Sequence, residues 1–423
     1  MSLIVKRGDV PRTPHTEFYG RKNLLSLEEI HGTYGFSGAF SRKMHLCRYP
    51  TILVEKPKLL PLSLSSPVLQ NAPLSPYHIL TGKIPYQGVF ERSRHSLLKG
   101  PSAVISVSKP EETGKDNEFF RNAEMHECLF VQEGNGVLAS EYGELKFKEK
   151  QYIVIPKGTT YQFRLLSKRA FFLIIESLYP IRFAPHYLNS EGQATLMSPV
   201  IETEIGLPEF KEPRDVLGKF NILSKHNGGK LTQIVLGHHP FDLVGWEGAL
   251  YPFVFDTSDH HSIAREIHTA PPVRQTFQAG NAPHSGFSIC TFRAQIEGWN
   301  PKDVPAPYAH YNVDSDEMMF FSNTTYGART GIVEPGSITF HPAGLPHSPH
   351  GDAAKKSFKS RGKLSDYLAV MLDTFFESLL PTKEAQKFCE PGYPLSWAKA
   401  EEKIIRHPDG SRGPGTRFRQ QPE

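Results

Sequence analysis

Histidines and an acidic residue are concentrated in two short segments of this 423-residue chain. The segment APYAHYNVDSDEMMFF contains His310 and Glu317, and the segment HPAGLPHSPHG contains His341, His347 and His350. Two imidazoles and a carboxylate that face one point form a ligand set for Fe(II), and this set leaves coordination positions open for a bidentate substrate and O2. These residues therefore predict a metal centre of the kind used by non-haem oxygenases.

The spacing of these residues is compatible with convergence at the mouth of a barrel. In one extended strand His310 and Glu317 would face opposite sides, but segment 312–316 is predicted to turn and to reset the register. The pattern H-x6-E, followed after about 25 residues by P-x-G-x-x-H, resembles the two motifs of the cupin superfamily. The alternative is a cupin that has lost its metal and kept a binding cavity.

Short predicted strands recur in two sets, and the two sets resemble each other. HECLFVQEGNG is similar to DEMMFFSN, and the P-x-G-x-x-Y motif that ends at Tyr161 lies over the P-x-G-x-x-H motif that ends at His347. We interpret them as two copies of one jelly-roll unit, offset by roughly 190 residues.

The first copy lacks the residues of the proposed triad. Glu127 stands where the second copy has its glutamate, but Phe120 takes the place of the first histidine and Tyr161 that of the later one. The first copy is therefore not expected to bind metal, and one iron per chain is predicted.

The resulting fold prediction is a mainly β, two-domain cupin architecture with a Pro-rich N-terminal arm and a C-terminal helix. The helix is predicted within 365–380, where SDYLAVMLDTFFESLL spaces apolar residues at helical intervals. The predicted divisions are an arm with an irregular β segment at 1–118, a degenerate cupin domain with a connecting segment at 119–258, a metal-binding cupin domain at 259–405, and a flexible tail at 406–423.

Composition and charge narrow the classes of function. The net charge of +4 is too small for this length to indicate nucleic acid or a membrane surface as partner, and a small polar substrate fits better. The four cysteines show no CxxC spacing, and the N-terminus has no apolar stretch of the kind that secretory signals need. A cytoplasmic protein is expected. Motifs for nucleophilic hydrolases, P-loop enzymes and dinucleotide binding are absent from the sequence.

Several dispersed segments resemble the homogentisate 1,2-dioxygenase family, in particular its bacterial branch. They are GDVPRTPHTEF, GTYGFSGAFS, PFDLVGWEGALYP, REIHTAPPVRQTFQAG, APYAH and the PHG at 349–351. The resemblance covers most of the chain. It implies the metal ligands His310, Glu317 and His350, the catalytic residues His268 and His347, and the substrate-binding residues Tyr308, Asn312, Tyr326 and Arg329.

Two departures from the family pattern leave alternatives open. One additional residue lies between the first histidine and the glutamate, so Asp316 competes with Glu317 as the carboxylate ligand. The loop between the last two histidines is shorter than usual, so His347 competes with His350 as third ligand.

The resemblance implies an Fe(II)-dependent dioxygenase that opens homogentisate with O2 to maleylacetoacetate, in the catabolism of tyrosine and phenylalanine. It also implies a trimer or hexamer. The partners are then a small aromatic diol acid and O2. The metal itself is not fixed by the ligands, because Mn(II) accepts a similar set. One alternative is the same chemistry on gentisate, hydroquinone or another diol, and a second is a metal-free bicupin that serves as a binding protein.

Overall fold

The fold consists mainly of antiparallel β-strands, as predicted. The computed structural model describes residues 3–51, 53–261, 274–323, 332–348 and 357–396. Two barrel-like units account for most of these residues, and a smaller N-terminal sheet packs against the first of them.

The first barrel is built from two sheets. The seven-stranded sheet contains, in spatial order, β11 (Gly143–Phe147), β10 (Gly136–Ser140), β13 (Thr160–Leu165), β8 (Glu118–Asn122), β17 (Leu217–His226), β18 (Lys230–His238) and β4 (Lys58–Ser63). The eight-stranded sheet contains β16 (Ile205–Gly206), β20 (Phe253–Asp256), β12 (Gln151–Ile155), β9 (His126–Glu133), β14 (Phe171–Ser177), β7 (Ala103–Ser108), β6 (Arg94–Lys99) and β28 (Leu380–Pro381).

The second barrel contains a seven-stranded sheet and a two-stranded ribbon. In spatial order the sheet comprises β15 (Ile181–Phe183), β21 (Gln275–Asn281), β22 (Ser285–Phe292), β27 (Ala369–Thr374), β24 (Glu317–Phe321), β25 (Ser337–His341) and β5 (Tyr77–Ile79). The ribbon pairs β23 (Ile296–Glu297) with β26 (Lys363–Leu364).

The N-terminal sheet has four strands in the order β1 (Val5–Gly8), β19 (Leu243–Gly248), β3 (Phe40–Leu46) and β2 (Ser26–Gly32). Helical structure in the described residues is limited to one short α-helix, Lys383–Gln386, and to single 3-10 turns at Arg21–Asn23, Tyr34–Phe36, Thr81–Lys83, Pro185–Tyr187, Glu202–Glu204, Thr257–Asp259, Phe358–Ser360 and Tyr393–Leu395. Among these described residues, none of the helices has the length and apolar character needed to cross a membrane.

Side-chain alternation along the strands separates a core shared by both barrels from the two barrel interiors. On β9, Cys128 and Phe130 face the shared core, whereas the intervening residues face the first barrel. On β24, Phe320 packs on Phe130 with ring centroids 6.0 Å apart, and Phe321 faces the second barrel. Because every second position points inward, Glu127 and Glu317 are both directed into a barrel.

The predicted C-terminal helix is wrong in its central part. Residues Ala369–Thr374 form β27, between β22 and β24, instead of a helix. Both faces of this strand are buried, since Val370 and Leu372 enter the shared core while Ala369 and Met371 enter the second barrel. A strand covered on both faces reads as a continuous apolar run, and such a run also satisfies helical spacing.

The division predicted at residue 118 does not coincide with the sheets. Strands β6 and β7, assigned to the arm, lie inside the first barrel's eight-stranded sheet, and β5 pairs with β25 of the second barrel. The Pro-rich composition of this region hides these strands because each is short and bounded by loops. The predicted tail at 406–423 lies outside the described residues.

A buried ion-pair network in the N-terminal sheet predicts a pH-dependent stability. Burial disfavours the charged ring of His45, but hydrogen bonds of 2.7 Å to Asp242 and to Glu29 outweigh it and raise the pKa of His45 to about 9. A raised pKa stabilises the fold below the unfolded value of 6.5, and this stability is lost as the pH rises towards 9.

In wild type, His45 should make the free energy of unfolding fall by on the order of 3 kcal/mol between pH 6.5 and pH 9. We expect His45→Gln to lack this decrease. The measurement is denaturant unfolding at a series of pH values. His284→Gln, at an exposed position, is the control. Equal slopes in wild type and His45→Gln would contradict the role of His45.

Candidate metal centre

Three side chains converge at the end of the second barrel's sheet. Glu317 is the first residue of β24, and its side chain points into the barrel. His310 and His347 lie on two loop segments that pair with each other through reciprocal backbone hydrogen bonds of 3.0 Å. The turn predicted between His310 and Glu317 is present as bends at 313–314, and it brings both residues to the same side.

The donor atoms of these three residues lie within 4.8 Å of one another. His347 Nε2 is 3.4 Å from Glu317 Oε1, and His310 Nε2 is 3.9 Å from Glu317 Oε2. Among the described residues this is the one cluster of histidine, cysteine and acidic side chains with the spacing of a metal site. The geometry therefore assembles two imidazole nitrogens and one carboxylate around a common point.

Backbone hydrogen bonds determine which nitrogen of each imidazole faces that point. His310 Nδ1 contacts the carbonyl of Tyr308 at 2.8 Å, and His347 Nδ1 contacts the carbonyl of Leu345 at 3.1 Å. Because a carbonyl can only accept, each Nδ1 carries a proton, and in the neutral ring each Nε2 keeps its lone pair. The buried His347 Nε2 has no hydrogen-bond partner among the described residues. In metal-bound histidines the second ring nitrogen is usually held by a carbonyl or carboxylate in this way, which fixes the orientation of the ring.

The electrostatics of the cluster favour a cation. Burial alone would raise the pKa of Glu317, but the adjacent imidazoles of His310, His341 and His347 outweigh it and hold the pKa of this carboxyl well below its usual range. The same carboxylate is the main cause of a raised pKa of His310. Glu317 is thus ionised, and its negative charge favours either a protonated histidine or a metal ion beside it.

A second buried carboxyl lies next to Glu317 in the sheet. Asp373 on β27 is in register with Glu317, and burial together with the charge of Glu317 raises the pKa of Asp373 well above its usual range. Asp373 Oδ1 has no hydrogen-bond partner. No lysine or arginine in the described ranges forms an ion pair with either carboxyl group. The cationic partners of Glu317 among the described residues are histidines, and a divalent ion would supply further positive charge beside the two acids.

Asp316, the competing carboxylate, has a different environment. Its Oδ1 accepts a hydrogen bond from the backbone N–H of Ala343 and its Oδ2 accepts one from that of Leu379, both at 2.7 Å. Burial raises the pKa of Asp316. Both oxygens are therefore occupied in holding the loop after β25 and the segment after β27, and the described geometry brings Glu317 into the cluster instead.

Two residues of the predicted substrate pocket lie beside the cluster. The Tyr308 ring makes an edge contact with His310, with centroids 5.7 Å apart, and 57% of the tyrosine is exposed. Asn312 is exposed, and its carbonyl accepts a hydrogen bond from the N–H of Gly344. The remaining predicted site residues, namely His268, Tyr326, Arg329 and His350, lie outside the described residues.

Sequence reasoning assigned no role to two polar residues of the centre. His341 ends β25 in register with Glu317, its Nδ1 lies 3.2 Å from Glu317 Oε1, and its ring stacks on His347 with centroids 4.1 Å apart. Its position six residues before His347 was visible in the sequence. Asp373 was hidden, because its segment was interpreted as a helix.

Comparison with known sequences identifies related proteins. Residues 106–257 match a family described as Homogentisate 1,2-dioxygenase N-terminal. A protein of Saccharolobus solfataricus named as a putative dioxygenase is 32% identical over 398 residues, which cover 94% of this chain and 99% of that protein. The homogentisate 1,2-dioxygenase of Homo sapiens is 24% identical over 297 residues, which cover 67% of this chain and 65% of the human enzyme.

Solved structures show weaker likeness. A cupin 2 conserved barrel domain protein from Leptotrichia buccalis aligns over 73% of this chain and 99% of its own, with 10% identity and a TM-score of 0.31. A score of this size supports no argument about function.

Proposed function

The chain belongs to the homogentisate 1,2-dioxygenase family, and we propose that it opens the ring of homogentisate with O2 by means of Fe(II) held by His310, Glu317 and His347. The dioxygenase class follows from the family. The observation that carries the rest is the convergence of two Nε2 atoms and one carboxylate within 4.8 Å. These donors fit Fe(II), because the set is the facial triad of non-haem oxygenases.

The third ligand in this proposal is His347, whereas the family resemblance implies His350. His347 supplies a buried nitrogen without a hydrogen-bond partner, at 3.4 Å from Glu317. His341, stacked on His347 and in contact with Glu317, then holds both ligands in orientation. His350 stays a candidate for the further active-site histidine.

In this proposal bound iron supplies the chemistry of O2 and acidifies a coordinated ring hydroxyl. The side chains of the protein do the rest. His268 takes the proton of the hydroxyl group, a role that suits an imidazole because its ordinary pKa is near neutral. Both atoms of O2 enter the product, and the bond between the side-chain-bearing carbon and the neighbouring hydroxylated carbon breaks to give maleylacetoacetate.

Substrate binding is assigned to the open side of the cluster. His310 is the most exposed of the three proposed ligands, and Tyr308 and Asn312 lie on the same loop. Arg329 is proposed to hold the acidic side chain of the substrate, because a guanidinium binds a carboxylate through two parallel hydrogen bonds. Tyr326 is proposed to line the same pocket.

Oxygen uptake by the iron-loaded enzyme tests the substrate. We expect kcat/KM for homogentisate to exceed that for plain hydroquinone by about 10- to 100-fold, since the latter lacks a charge-assisted contact. Arg329→Ala should reduce this preference and leave hydroquinone turnover unchanged. Faster turnover of gentisate would instead assign the protein to the alternative substrate, and absence of stoichiometric metal in protein purified without chelator would favour a binding role.

A further inference from the structure

Two buried acids in the first barrel correspond to the acids of the metal centre. Glu127 on β9 is in register with Glu176 on β14, as Glu317 on β24 is with Asp373 on β27. All four side chains are buried. The interiors of the two barrels therefore carry the same pair of neighbouring carboxyl groups at equivalent places.

Two aromatic residues of the first barrel correspond to the proposed histidine ligands. Phe120 and Tyr161 are directly paired across β8 and β13, as His310 and His347 are paired across their two loop segments. Tyr161 Oη donates a hydrogen bond of 2.7 Å to Glu127 Oε2. The first barrel thus keeps the layout of the triad and lacks both nitrogen donors.

The guanidinium group of Arg94 contacts the counterparts of all three proposed ligands. Arg94 Nη1 lies 2.7 Å from Glu127 Oε1, Nη2 donates to Tyr161 Oη at 3.1 Å, and the group lies over the Phe120 ring at 4.7 Å from its centroid. It also lies 3.5 Å from Glu176. The side chain of Arg94 is 1% exposed, so this cation is sealed from water.

Charge is balanced in the first barrel by side chains. Lys225 contacts Glu176 at 2.5 Å and also lies 3.4 Å from the more exposed Glu124, so two monovalent cations face the two fully buried carboxylates. In the second barrel, no lysine or arginine among the described residues pairs with Glu317 or Asp373. One divalent ion there would provide the charge that Arg94 and Lys225 provide here.

We propose that the first barrel retains a cation site of the same kind as the second, and that the guanidinium group of Arg94 occupies it permanently in place of a metal ion. The site takes a small planar cation. With its two nitrogen donors restored and Arg94 removed, it takes a divalent transition metal. Arg94 therefore both stabilises the barrel and prevents metal from binding there.

Thermal unfolding with chemical rescue tests the cation. Arg94→Ala leaves two carboxylates beside a single lysine, and we expect Tm to fall by about 5 °C. Millimolar guanidinium chloride should recover a large part of this loss by refilling the site, whereas equal concentrations of NaCl and urea should not. Arg92→Ala, which removes an exposed arginine paired with Glu118, is the matched control. An unchanged Tm, or equal rescue of both variants, overturns the proposal.

Metal counting tests the correspondence with the second barrel. The variant Arg94→Ala/Phe120→His/Tyr161→His should bind one more equivalent of Co(II) per chain than the parent, with new visible absorption bands. Phe120→His/Tyr161→His, which keeps Arg94, should bind no more than the parent. Equal uptake by both variants contradicts the proposal. Because the readout is a difference from the parent, it remains valid if the second barrel proves to hold no metal.

Insoluble variants are also informative. If Arg94→Ala does not fold, Arg94→Met/Glu127→Gln removes one cation with one anion and leaves Glu176 paired with Lys225. Regained solubility supports the proposal, and continued insolubility contradicts it. The triple variant is expressed with added Co(II), since metal binding contributes folding free energy. Insolubility under that condition counts against a metal-sized site.

Discussion

Replacing Glu317 with glutamine is expected to remove metal binding and oxygen uptake together. The carboxylate is the anion at which His310 and His347 converge, with its pKa held well below the usual range by the surrounding histidines. Loss of an outer-shell partner alone costs about 10- to 100-fold in metal affinity, so loss of this ligand should cost at least about 100-fold. Metal content by elemental analysis and O2 uptake are the two measurements.

The stability of the metal-free protein separates a ligand from a structural residue. Glu317→Gln keeps the side-chain volume and removes a charge that raises the pKa of the neighbouring Asp373. Because the pKa of Glu317 is depressed in the fold, its charge is stabilising there, and we expect the metal-free variant to remain folded but to be less stable than wild type at neutral pH. Glu334→Gln, at an exposed position before β25, is the control and should retain metal. Unchanged metal content in Glu317→Gln would refute the centre.

The second large effect is expected from His347→Gln, with His350→Gln as its matched comparison. His347 Nδ1 is engaged by the carbonyl of Leu345, and its Nε2 faces Glu317 without a hydrogen-bond partner. We expect His347→Gln to lose at least about 100-fold in metal affinity and His350→Gln to keep stoichiometric metal. Titration of the metal-free proteins with Fe(II) under anaerobic conditions measures both.

The variant His341→Gln measures how much metal affinity depends on a residue that orients the ligands without binding the metal. Its contacts with Glu317 and with the His347 ring predict a loss of about 10- to 100-fold in affinity, smaller than that of a ligand. If His350→Gln loses metal while His347→Gln keeps it, the assignment that the family resemblance implies is the correct one.

Much of the strand content was predictable from local pattern. Segments HECLFVQEGNG and DEMMFFSN contain β9 and β24, because short apolar runs between turn residues have few other solutions. The prediction for the apolar run around β27 was wrong for the same reason that this strand is stable. Both of its faces are covered by other strands, and a run without alternation does not distinguish strand from helix.

The candidate site was predictable in its chemistry and less so in its membership. His310 and Glu317 were proposed as ligands because their residue types and spacing have a known use in metal binding, and the structure places them in one cluster. The choice between His347 and His350 could not be made from spacing, since both follow Pro342 within one short segment of the sequence. Asp373 could not be predicted as a neighbour of Glu317, because the two residues are paired across strands that are distant in the chain.

Residue types and spacing were enough to indicate a mainly β protein with two similar halves. They also indicated that the second half carries imidazoles and a carboxylate suited to a metal, and that the first half lacks two of the three. Only the pairing of the strands revealed that Asp373 lies beside Glu317 and that Arg94 lies among the counterparts of the triad. Residue types and alternation are local properties, whereas the partner of a buried charge depends on which strands pair and in what register, and that depends on the whole chain.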